Sequence, residues 1–386
     1  MAEVVVTTKG AKRIRRGHLW IYRSDVIAVE AEGGDVVSVV DEVRNFVGMA
    51  FYSAASEISL RIFTTKKETV DEGFWRRRIA AAISRRDSLR ATSDAYRLIN
   101  SESDLIPSLI VDRYAGTLVI QTLSQGTERL KDTFVEILKE VCSPSSVIER
   151  NDVRVREKES LELRAGLIYG NLPNEMTIEH DGIRFLVEPL SGQKTGSFLD
   201  QRENHFAVRD HVWGRGLDCF TFNGGFALNM AKQCSEVLAV DISEEAVRIS
   251  EINARLNNIT NVRFRAGNVF DELRELEKKG ERFDSIVLDP PAFVKGRAAL
   301  RSAARGYKEI NLRAMKLLGE GGVLVTCSCS FHFSEEMFIQ TIEEAARDAK
   351  KKVQLIEKRG QSLDHPVLLG MPESQYLKCL ILRVID

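Results

Sequence analysis

Residues 217–241 read LDCFTFNGGFALNMAKQCSEVLAVD, and this stretch does most to decide the fold. Leu217–Phe220 is short and apolar enough to be a strand, and the glycine pair Gly224–Gly225 opens a helix that runs through Met230. Glu236–Asp241 then has the composition of a second strand. A strand, a glycine turn, a helix and another strand in close succession predict a βαβ unit with parallel strands.

The same alternation continues toward the C-terminus. Ser243 is placed to cap a helix, and three further apolar runs are expected to be strands, at residues 261–266, 285–289 and 323–327. Helices that alternate with strands in this way predict a doubly wound, Rossmann-like α/β sheet. Ligands of such sheets bind at the carboxyl ends of the strands.

The residues at those strand ends favour a nucleoside cofactor. Asp241 ends the second strand, about 20 residues after the glycine turn, where a carboxylate can accept from both ribose hydroxyls. The turn lacks the G-x-G-x-x-G spacing typical of NAD sites. Asp218 and Asn223 around it suit a cationic amino-acid cofactor better than a pyrophosphate. Together with Asn268 and Asp289 after later strands, they predict an S-adenosylmethionine site.

A second segment, Gly321–Glu336, reads GGVLVTCSCSFHFSEE and suggests chemistry on a nucleobase. Cytosine C5 is a poor nucleophile until a thiolate adds at C6, so a cysteine near C6 and a hydrogen-bonding group near N3 and N4 are required. Cys327 and Cys329 compete for the first role, and Asp289 is the candidate for the second. The base must also be turned out of its stack to reach them.

The N-terminal region, residues 1–68, is predicted to be all-β because its apolar runs are short and rich in β-branched residues. Its segment from Lys9 to Arg23 combines cations with aromatic rings and has no acidic residue, as an RNA-binding face requires. The candidate RNA-binding residues are Lys12, Arg13, Arg15, Arg16, His18, Trp20 and Arg23. The alternative is a solvated basic turn before a strand, with Trp20 in the core.

Residues 69–175 are predicted to form a small α+β domain. Phe74–Arg90 is a helix candidate, Leu109–Tyr114 and Thr117–Thr122 form a hairpin, and Thr127–Val141 has helical apolar spacing. Nothing in this region has the pattern of a nucleophile and its base. The third domain is expected to span residues 176–386.

Composition narrows the functional class further. A net charge of −1 carries no global signature of nucleic-acid binding, and 6 scattered cysteines suit a reducing cytoplasm. The chain has no apolar run of about 20 residues, so no membrane span is expected. The N-terminus lacks a basic region before its apolar run, which argues against a signal peptide. No metal site is expected, since no second cysteine pair completes four ligands.

Several motifs resemble one known family. Asp218–Phe226 looks like motif I of class I S-adenosylmethionine methyltransferases, and Gly192–Arg202 is similar to a segment of the ribosomal RNA large-subunit methyltransferase I family. Lys12–Asp25 resembles the start of the PUA domain of this family, Arg97–Pro107 its middle domain, and Arg305–Asn311 a helix of its catalytic domain. The likeness covers nearly the whole chain. It implies an N-terminal PUA domain, a middle EEHEE-like domain and a C-terminal Rossmann-like methyltransferase domain.

The resemblance also implies an activity, formation of 5-methylcytosine in 23S rRNA, and an RNA partner. By analogy with relatives that have extended N-terminal modules, the resemblance also implies a homodimer. The residues it places at the cofactor, together with those argued above, are Phe198, Asp200, Arg202, Asp218, Phe220, Asn223, Gly224, Asp241, Ser243, Asn268 and Asp289.

The same family pattern distinguishes the two cysteines. In related RNA cytosine methyltransferases a cysteine–serine pair follows the strand after a glycine pair, and Cys329–Ser330 fits that position better than Cys327 does. The sequence departs from one branch of these enzymes, because Pro290 is followed by Pro291 and not by a second cysteine. The group that takes the C5 proton is therefore unassigned, with His332 and His365 as candidates.

Two other functions remain open from the sequence. Asp289-Pro290-Pro291 followed by Phe293 also resembles enzymes that methylate exocyclic amines, and a related guanine ring-nitrogen methyltransferase lacks the cysteine. The other alternative is a non-catalytic RNA-binding or ribosome-assembly factor.

Overall fold

The chain folds as two units that alternate along the sequence. A computed structural model describes residues 2–173, 175–190, 195–293 and 300–386. Unit 1 comprises residues 1–178, 187–199 and 364–374, and unit 2 comprises residues 179–186, 200–363 and 375–386. The domain boundaries expected from the sequence, 1–68, 69–175 and 176–386, stay a prediction.

The first sheet of unit 1 has six strands in the order β2-β6-β5-β4-β1-β3. Its β-branched residues alternate, so that Val4, Val6, Val37 and Val39 are buried on one face. The strands are β1 (Glu3–Val6), β2 (Trp20–Tyr22), β3 (Val26–Glu30), β4 (Val36–Asp41), β5 (Phe46–Tyr52) and β6 (Ile58–Thr64).

The expectation of an all-β N-terminal region is wrong at one place, where residues Thr8–Arg15 form helix α1. The Thr7 side chain caps this helix by accepting from the Gly10 amide at 3.1 Å. Ala11 and Ile14 are buried and lie three positions apart, which is helical spacing. The four cations of this helix obscured that periodicity in the sequence.

The second sheet of unit 1 has the order β11-β10-β9-β8-β7. The hairpin expected at residues 109–122 is confirmed, with antiparallel pairing and Ala115 in the left-handed region at its turn. The helix expected at residues 127–141 is interrupted at Leu130 and becomes two. The elements are α2 (Glu72–Ser84), β7 (Ala95–Asn100), β8 (Leu109–Tyr114), β9 (Thr117–Thr122), α3 (Gln125–Arg129), α4 (Lys131–Cys142), β10 (Ser146–Asn151) and β11 (Arg164–Gly170).

Along the chain, β12 (Met176–His180) and β13 (Ile183–Val187) then form a two-stranded sheet. Unit 2 contains a seven-stranded sheet in the order β16-β15-β14-β17-β18-β20-β19. Its strands are β14 (Gly214–Cys219), β15 (Cys234–Asp241), β16 (Val262–Ala266), β17 (Phe283–Leu288), β18 (Leu318–Ser328), β19 (Val353–Arg359) and β20 (Lys378–Val384).

This sheet confirms the doubly wound expectation and extends it. The five expected strands are parallel, while β20 runs antiparallel to both of its neighbours. Sequence reasoning did not identify β19 and β20. The helices are α5 (Arg202–Ala207), α6 (Gly225–Met230), α7 (Glu244–Leu256), α8 (Val269–Lys278), α9 (Leu300–Leu317) and α10 (Glu335–Asp348).

Both faces of the sheet are covered by apolar side chains. Leu217 and Leu288 belong to one buried cluster with residues of α8, α9 and α10, whereas Val287 and Val325 belong to another with residues of α6. Burial on both faces explains the apolar runs of β15, β17 and β18. Their polar residues are therefore concentrated at the carboxyl ends, where the candidate site lies.

Candidate active site and RNA interface

The turn after β14 has an unusual backbone. Phe220, Phe222 and Gly224 all have positive φ, at 68°, 49° and 89°. The amides of Phe220 and Thr221 both donate to the Val240 carbonyl, at 2.9 and 3.0 Å, which ties the turn to β15. Left-handed backbone at two phenylalanines is costly, so the surrounding contacts must hold it in place.

Asp218 supports this turn from inside the protein. Its side chain is fully buried, and its Oδ2 accepts a hydrogen bond from Thr221 Oγ1 at 2.6 Å. Burial raises the pKa of Asp218 to about 7. The observed contact is therefore with the turn, and direct binding of a cofactor by Asp218 stays a prediction.

The two glycines have distinct roles. Gly224 has left-handed backbone, and a Cβ on Gly225 would lie 2.4 Å from Cε1 of the His205 ring. Glycine is needed at both positions, for backbone conformation at the first and for space at the second. Asn223 is buried, and its carbonyl accepts from Asn253 Nδ2 at 2.9 Å.

The Asp241 carboxylate is oriented by two backbone amides. Its Oδ2 accepts from the Phe222 amide at 2.9 Å and its Oδ1 from the Ser243 amide at 3.0 Å. Each carboxylate oxygen has a second lone pair, so the group can still accept from a ligand hydroxyl. Asn268 caps α8 by accepting from the Phe270 amide at 2.9 Å.

Asp289 follows β17 and is held by a residue that sequence reasoning missed. Gln201 Nε2 donates to Asp289 Oδ1 at 2.9 Å, and Asn204 Nδ2 donates to Gln201 Oε1 at 2.7 Å. The Asp289 amide donates to the Cys219 carbonyl at 3.3 Å. The available signal was position, since Gln201 lies within the family-like segment between two residues that were selected.

The other predicted residues of the family-like segment Gly192–Arg202 fall in both units. Residues 192–194 lie outside the described residues, and Phe198 is half-buried in unit 1. Asp200 belongs to unit 2, where its Oδ2 accepts from Tyr376 Oη at 2.8 Å. Arg202 is buried in the same unit. Cofactor binding by Phe198, Asp200 and Arg202 stays a prediction.

The two candidate nucleophiles differ in their surroundings. Cys327 lies within β18 opposite Cys379 of β20, is fully buried, and has a pKa that burial raises well above that of a free thiol. Cys329 follows directly after the end of β18 and is half-buried. A thiolate is disfavoured at Cys327 because burial penalises its charge.

Tyr307, from α9, fixes the residues on both sides of Cys329. Ser328 Oγ donates to Tyr307 Oη at 2.9 Å, and the Ser330 hydroxyl lies 3.1 Å from the same oxygen. Tyr307 is fully buried and stacks on Phe333 with 5.1 Å between ring centroids. Tyr307 lies within the family-like segment Arg305–Asn311, and the sequence alone predicted no role for it.

The candidate proton acceptors lie in different units. His332 is exposed in unit 2, with its ring 5.2 Å from that of Phe331. His365 is buried in unit 1, with Nδ1 3.2 Å from Asp364 Oδ1.

In unit 1, several predicted RNA-binding residues make ion pairs within the protein. Arg13 Nη1 lies 2.8 Å from Asp25 Oδ2, and Arg15 Nη2 lies 2.8 Å from Asp41 Oδ2. Both carboxylates are buried, whereas about half of the Arg15 side chain is exposed. These cations therefore support the fold as well as contributing positive charge.

Three more of the predicted residues make hydrogen bonds or ion pairs with other residues of unit 1. Arg23 Nη2 donates to three backbone carbonyls in the turn between β5 and β6. Trp20 Nε1 donates to Glu102 Oε1 at 3.0 Å, and His18 Nε2 lies 3.3 Å from Glu373 Oε2. Trp20 is half-buried, so neither the stacking interpretation nor the core interpretation describes it fully.

A basic groove of about 580 Å³ nevertheless lies beside α1. Lys12 and Arg16 are exposed at its edge. The residues that line it are Lys9, Lys12, Arg13, Arg16, His18 and Gly370. A concentration of cations around one groove suits an anionic polymer such as RNA.

Within the described ranges, no group of three or more histidine, cysteine or acidic side chains is arranged to hold a metal ion. In the same residues, no helix is both long and apolar enough to cross a membrane.

Comparison with protein families agrees with the N-terminal and the C-terminal parts of the fold described above. Residues 4–65 match the PUA-like domain, and residues 154–383 match the S-adenosylmethionine-dependent methyltransferase family. Ribosomal RNA large subunit methyltransferase I from Enterobacter sp. (strain 638) is 39% identical over 396 residues and covers 100% of both chains. Its counterpart from Tolumonas auensis is 40% identical and covers 97% of each chain.

The chain belongs to the ribosomal RNA large subunit methyltransferase I family. This confirms the family resemblance, and the PUA-like and methyltransferase matches confirm the fold class. The predicted cofactor, S-adenosylmethionine, is confirmed with them.

Solved structures agree on the fold. A proposed S-adenosylmethionine-dependent methyltransferase from Streptococcus mutans has a TM-score of 0.85 at 20% identity, with 100% of both chains covered. A similar methyltransferase complexed with S-adenosylhomocysteine has a TM-score of 0.86 at 19% identity and the same coverage. Trm5b from Pyrococcus abyssi is more distant, with a TM-score of 0.54 at 17% identity over 100% of this chain and 99% of its own.

The residues at the strand ends fit this cofactor. The Asp241 carboxylate is oriented by two amides and can accept from ribose hydroxyls. Asp218 and Asn223 shape the turn between them. In this family the bound cofactor supplies a methyl group on a sulfonium.

Proposed function

We propose that the chain forms 5-methylcytosine in large-subunit ribosomal RNA, with Cys329 as the nucleophile at C6 of the target cytosine and 23S rRNA as the substrate. The observation that carries the proposal is the contrast between the two cysteines. Cys327 is sealed within β18, whereas Cys329 follows the strand end beside the carboxyl edge of the sheet. The relatives named for large-subunit rRNA support the choice of RNA.

The strand pairing supports a common location for the two proposed catalytic residues. In the parallel pair of β17 and β18, Leu288 is in register with Thr326. Asp289 follows Leu288 directly, and Cys329 follows Thr326 by three positions, so both side chains come after the ends of adjacent strands. Carboxyl ends of parallel strands meet at a common edge, where an extruded base could reach both groups.

The proposed role of Cys329 is covalent. Its thiolate bonds to C6 of cytosine, which makes C5 nucleophilic, and C5 then takes the methyl group. The C5 proton is removed by a base that stays unassigned, and the Sγ–C6 bond breaks to restore the ring and the thiolate. The bonds from Tyr307 to Ser328 and Ser330 hold the backbone on both sides of the nucleophile.

Asp289 is proposed to hold the cytosine at N3 and N4. A carboxylate accepts from the N4 amine and stabilises a proton at N3 as the ring accepts the thiolate. The Gln201 amide fixes the carboxylate orientation, and Asn204 in turn fixes Gln201. A network of this kind keeps the acceptor in place before the base arrives.

The basic groove of unit 1 is proposed to bind RNA phosphates. Lys12 and Arg16 are exposed at the groove, and their cations can replace counterions along the RNA backbone. The reaction is placed in the cytoplasm, in keeping with the scattered cysteines. A homodimer stays a prediction, which light scattering during gel filtration would decide.

The test is mass mapping of ribosomal RNA from a strain that lacks this protein. We expect one cytosine to lose its C5 methyl group, and expect wild-type protein and Cys327→Ala to restore it while Cys329→Ala does not. Loss of a methyl group from an exocyclic amine or a guanine ring nitrogen, restored by Cys329→Ala, would instead support the amine-type alternative. Absence of S-adenosylmethionine binding in calorimetry would support a non-catalytic RNA-binding factor.

A further inference from the structure

Lys378 lies next to the proposed nucleophile and has no assigned role. It is the first residue of β20 and pairs across the ladder with Ser328, the residue before Cys329. Its Nζ donates to the Ser330 carbonyl at 2.7 Å and to the Tyr376 carbonyl at 2.8 Å. The ammonium is thus bonded to the residue that follows Cys329 and is in register with the residue that precedes it.

A buried ammonium is unfavourable unless nearby negative charge compensates it. Lys378 is 6% exposed, and lysine is seldom buried at that level without a partner. Burial lowers the pKa of Lys378 to about 8, while negative charge on Cys329 and Glu335 raises it. Two carbonyl oxygens satisfy hydrogen bonds but carry no net charge, so they do not fully compensate a buried cation.

The other charged and titratable groups around this turn are few among the described residues. Glu335 comes from α10 and is paired with Lys358 of β19, whose Nζ lies 2.6 Å from Glu335 Oε1. Tyr307 comes from α9, and burial raises its pKa, so it stays neutral near pH 7. Glu335 is thus partly compensated by a cation of its own, so Cys329, if ionised, would be the remaining negative group that acts on Lys378.

We propose that Lys378 is a positioning residue that holds Cys329 in its thiolate form, by placing a fixed ammonium against the turn that carries the thiol. The reactive role of that thiolate rests on the proposed function. The thiol proton leaves to solvent, and the positive charge of Lys378 compensates the negative sulfur. The hydrogen bonds to Ser330 and Tyr376 keep the ammonium in place when the sulfur bonds to C6 and its charge disappears.

The experiment measures the reactivity of Cys329 as a function of pH. The full-length protein is alkylated with iodoacetamide from pH 6 to pH 10, and fragment mass spectra separate Cys329 from Cys327. We expect Lys378→Met to shift the midpoint of Cys329 alkylation upward by about one pH unit or more, because it removes an opposite charge. Lys378→Arg keeps the charge and should keep the midpoint near that of wild type.

The matched control is Lys316→Met, which removes a lysine of the same unit that pairs with Glu277 at 2.8 Å. Its alkylation midpoint should equal that of wild type. Circular dichroism and S-adenosylmethionine affinity show whether each variant is folded. If folded Lys378→Met alkylates with the wild-type midpoint, or if folded Lys378→Arg shifts as far as Lys378→Met, the proposal is overturned.

Methylation of RNA by the same variants separates this inference from the proposed function. If both are correct, Lys378→Met lowers kcat more than it raises KM, and the loss shrinks as pH rises. If the alkylation midpoint shifts while methylation is unchanged at every pH, the charge assignment stands and Cys329 is not the nucleophile. An unshifted midpoint overturns the role of Lys378 whatever the methylation rate.

Discussion

The carboxyl edge of the seven-stranded sheet and the basic segment of unit 1 were both predicted from residue types, and they differ in how their side chains are used. At the sheet edge, Asp241 and Asp289 are oriented by donors from their own unit, as a binding site requires. In the basic segment, Arg13 and Arg15 are paired with buried carboxylates, which supports the fold. Only part of the predicted RNA-binding set lies at the groove.

The difference has a physical cause. Parallel topology brings the ends of neighbouring strands together, so a polar residue there is near other such residues whatever its local sequence. Topology does not bring the side chains of a run of cations together in this way, because each long side chain can pair with a carboxylate elsewhere in the fold. The comparison therefore predicts which substitutions will affect function and which will affect stability.

The largest effect is expected at Cys329. Cys329→Ala should lower kcat for RNA methylation by roughly 10⁴-fold or more, because removing a covalent nucleophile abolishes the catalysed route. Single-turnover methylation of rRNA with labelled S-adenosylmethionine measures this loss. Cys327→Ala is the matched control, and should cost about 1 kcal/mol of stability while nearly preserving the rate. Equal losses in the two variants would remove the distinction between the cysteines.

The next effect is expected at Asp289. Asp289→Asn should lower kcat by about 10²-fold, since the amide cannot stabilise a proton at N3 of the base. Asp271→Asn on α8 changes an exposed carboxylate of the same unit and should have no effect. The measurement is methylation rate at saturating RNA. An unchanged rate in Asp289→Asn would exclude the carboxylate from the chemistry.

A smaller effect is expected on RNA affinity, and it sharpens the contrast within the basic segment. Lys12→Gln and Arg16→Gln should each weaken RNA binding and reduce the slope of log K against log salt by about 1, because each cation replaces a counterion. Arg23→Gln is the comparison, since Arg23 bonds to backbone carbonyls of its own unit. Filter binding at several salt concentrations would contradict the expectation if Arg23→Gln had the larger effect.

The smallest effect on activity is expected at Asp218. The main change expected there is in how the stability of the protein depends on pH. The pKa of Asp218 rises from 3.8 to about 7 on folding, so its favourable contribution is present at low pH and is lost as pH rises through about 7. Asp218→Asn lacks this loss, and its stability relative to wild type should increase between pH 4 and pH 8 by up to about 4 kcal/mol. Urea unfolding without cofactor measures this, with exposed Asp210→Asn as control. A pH-independent difference would contradict the expectation.

Much of the fold follows from the sequence because its signals are local. Strands β15, β17 and β18 were predicted because each contains a continuous apolar run that ends in a polar residue. Helix α1 was missed because four cations obscured the spacing of Ala11 and Ile14. Strands β19 and β20 were not identified either, and β20 carries Lys378 at its first position.

Residues of the candidate site could be predicted where a sequence motif contains them. They could not be predicted where only contacts between distant parts of the chain bring them to the site. Asp241 and Asp289 could be selected from their positions after strands. Gln201, Tyr307 and Lys378 acquire their partners only through contacts distant in sequence, namely with Asp289, with the serines beside Cys329 and with the Ser330 carbonyl. No local pattern marks such residues, because ordinary buried polar side chains have the same appearance in a sequence.

The most direct test of the central claim, that Cys329 bonds to C6 of cytosine, is covalent trapping on RNA that contains 5-fluorocytidine. Fluorine at C5 cannot leave as a proton would, so the Sγ–C6 bond persists after methyl transfer. We predict an adduct that survives denaturing electrophoresis, requires S-adenosylmethionine, and maps by peptide mass spectrometry to Cys329. An adduct at Cys327, or full methylation of ordinary RNA by Cys329→Ala with no adduct on the fluorinated RNA, would contradict the claim.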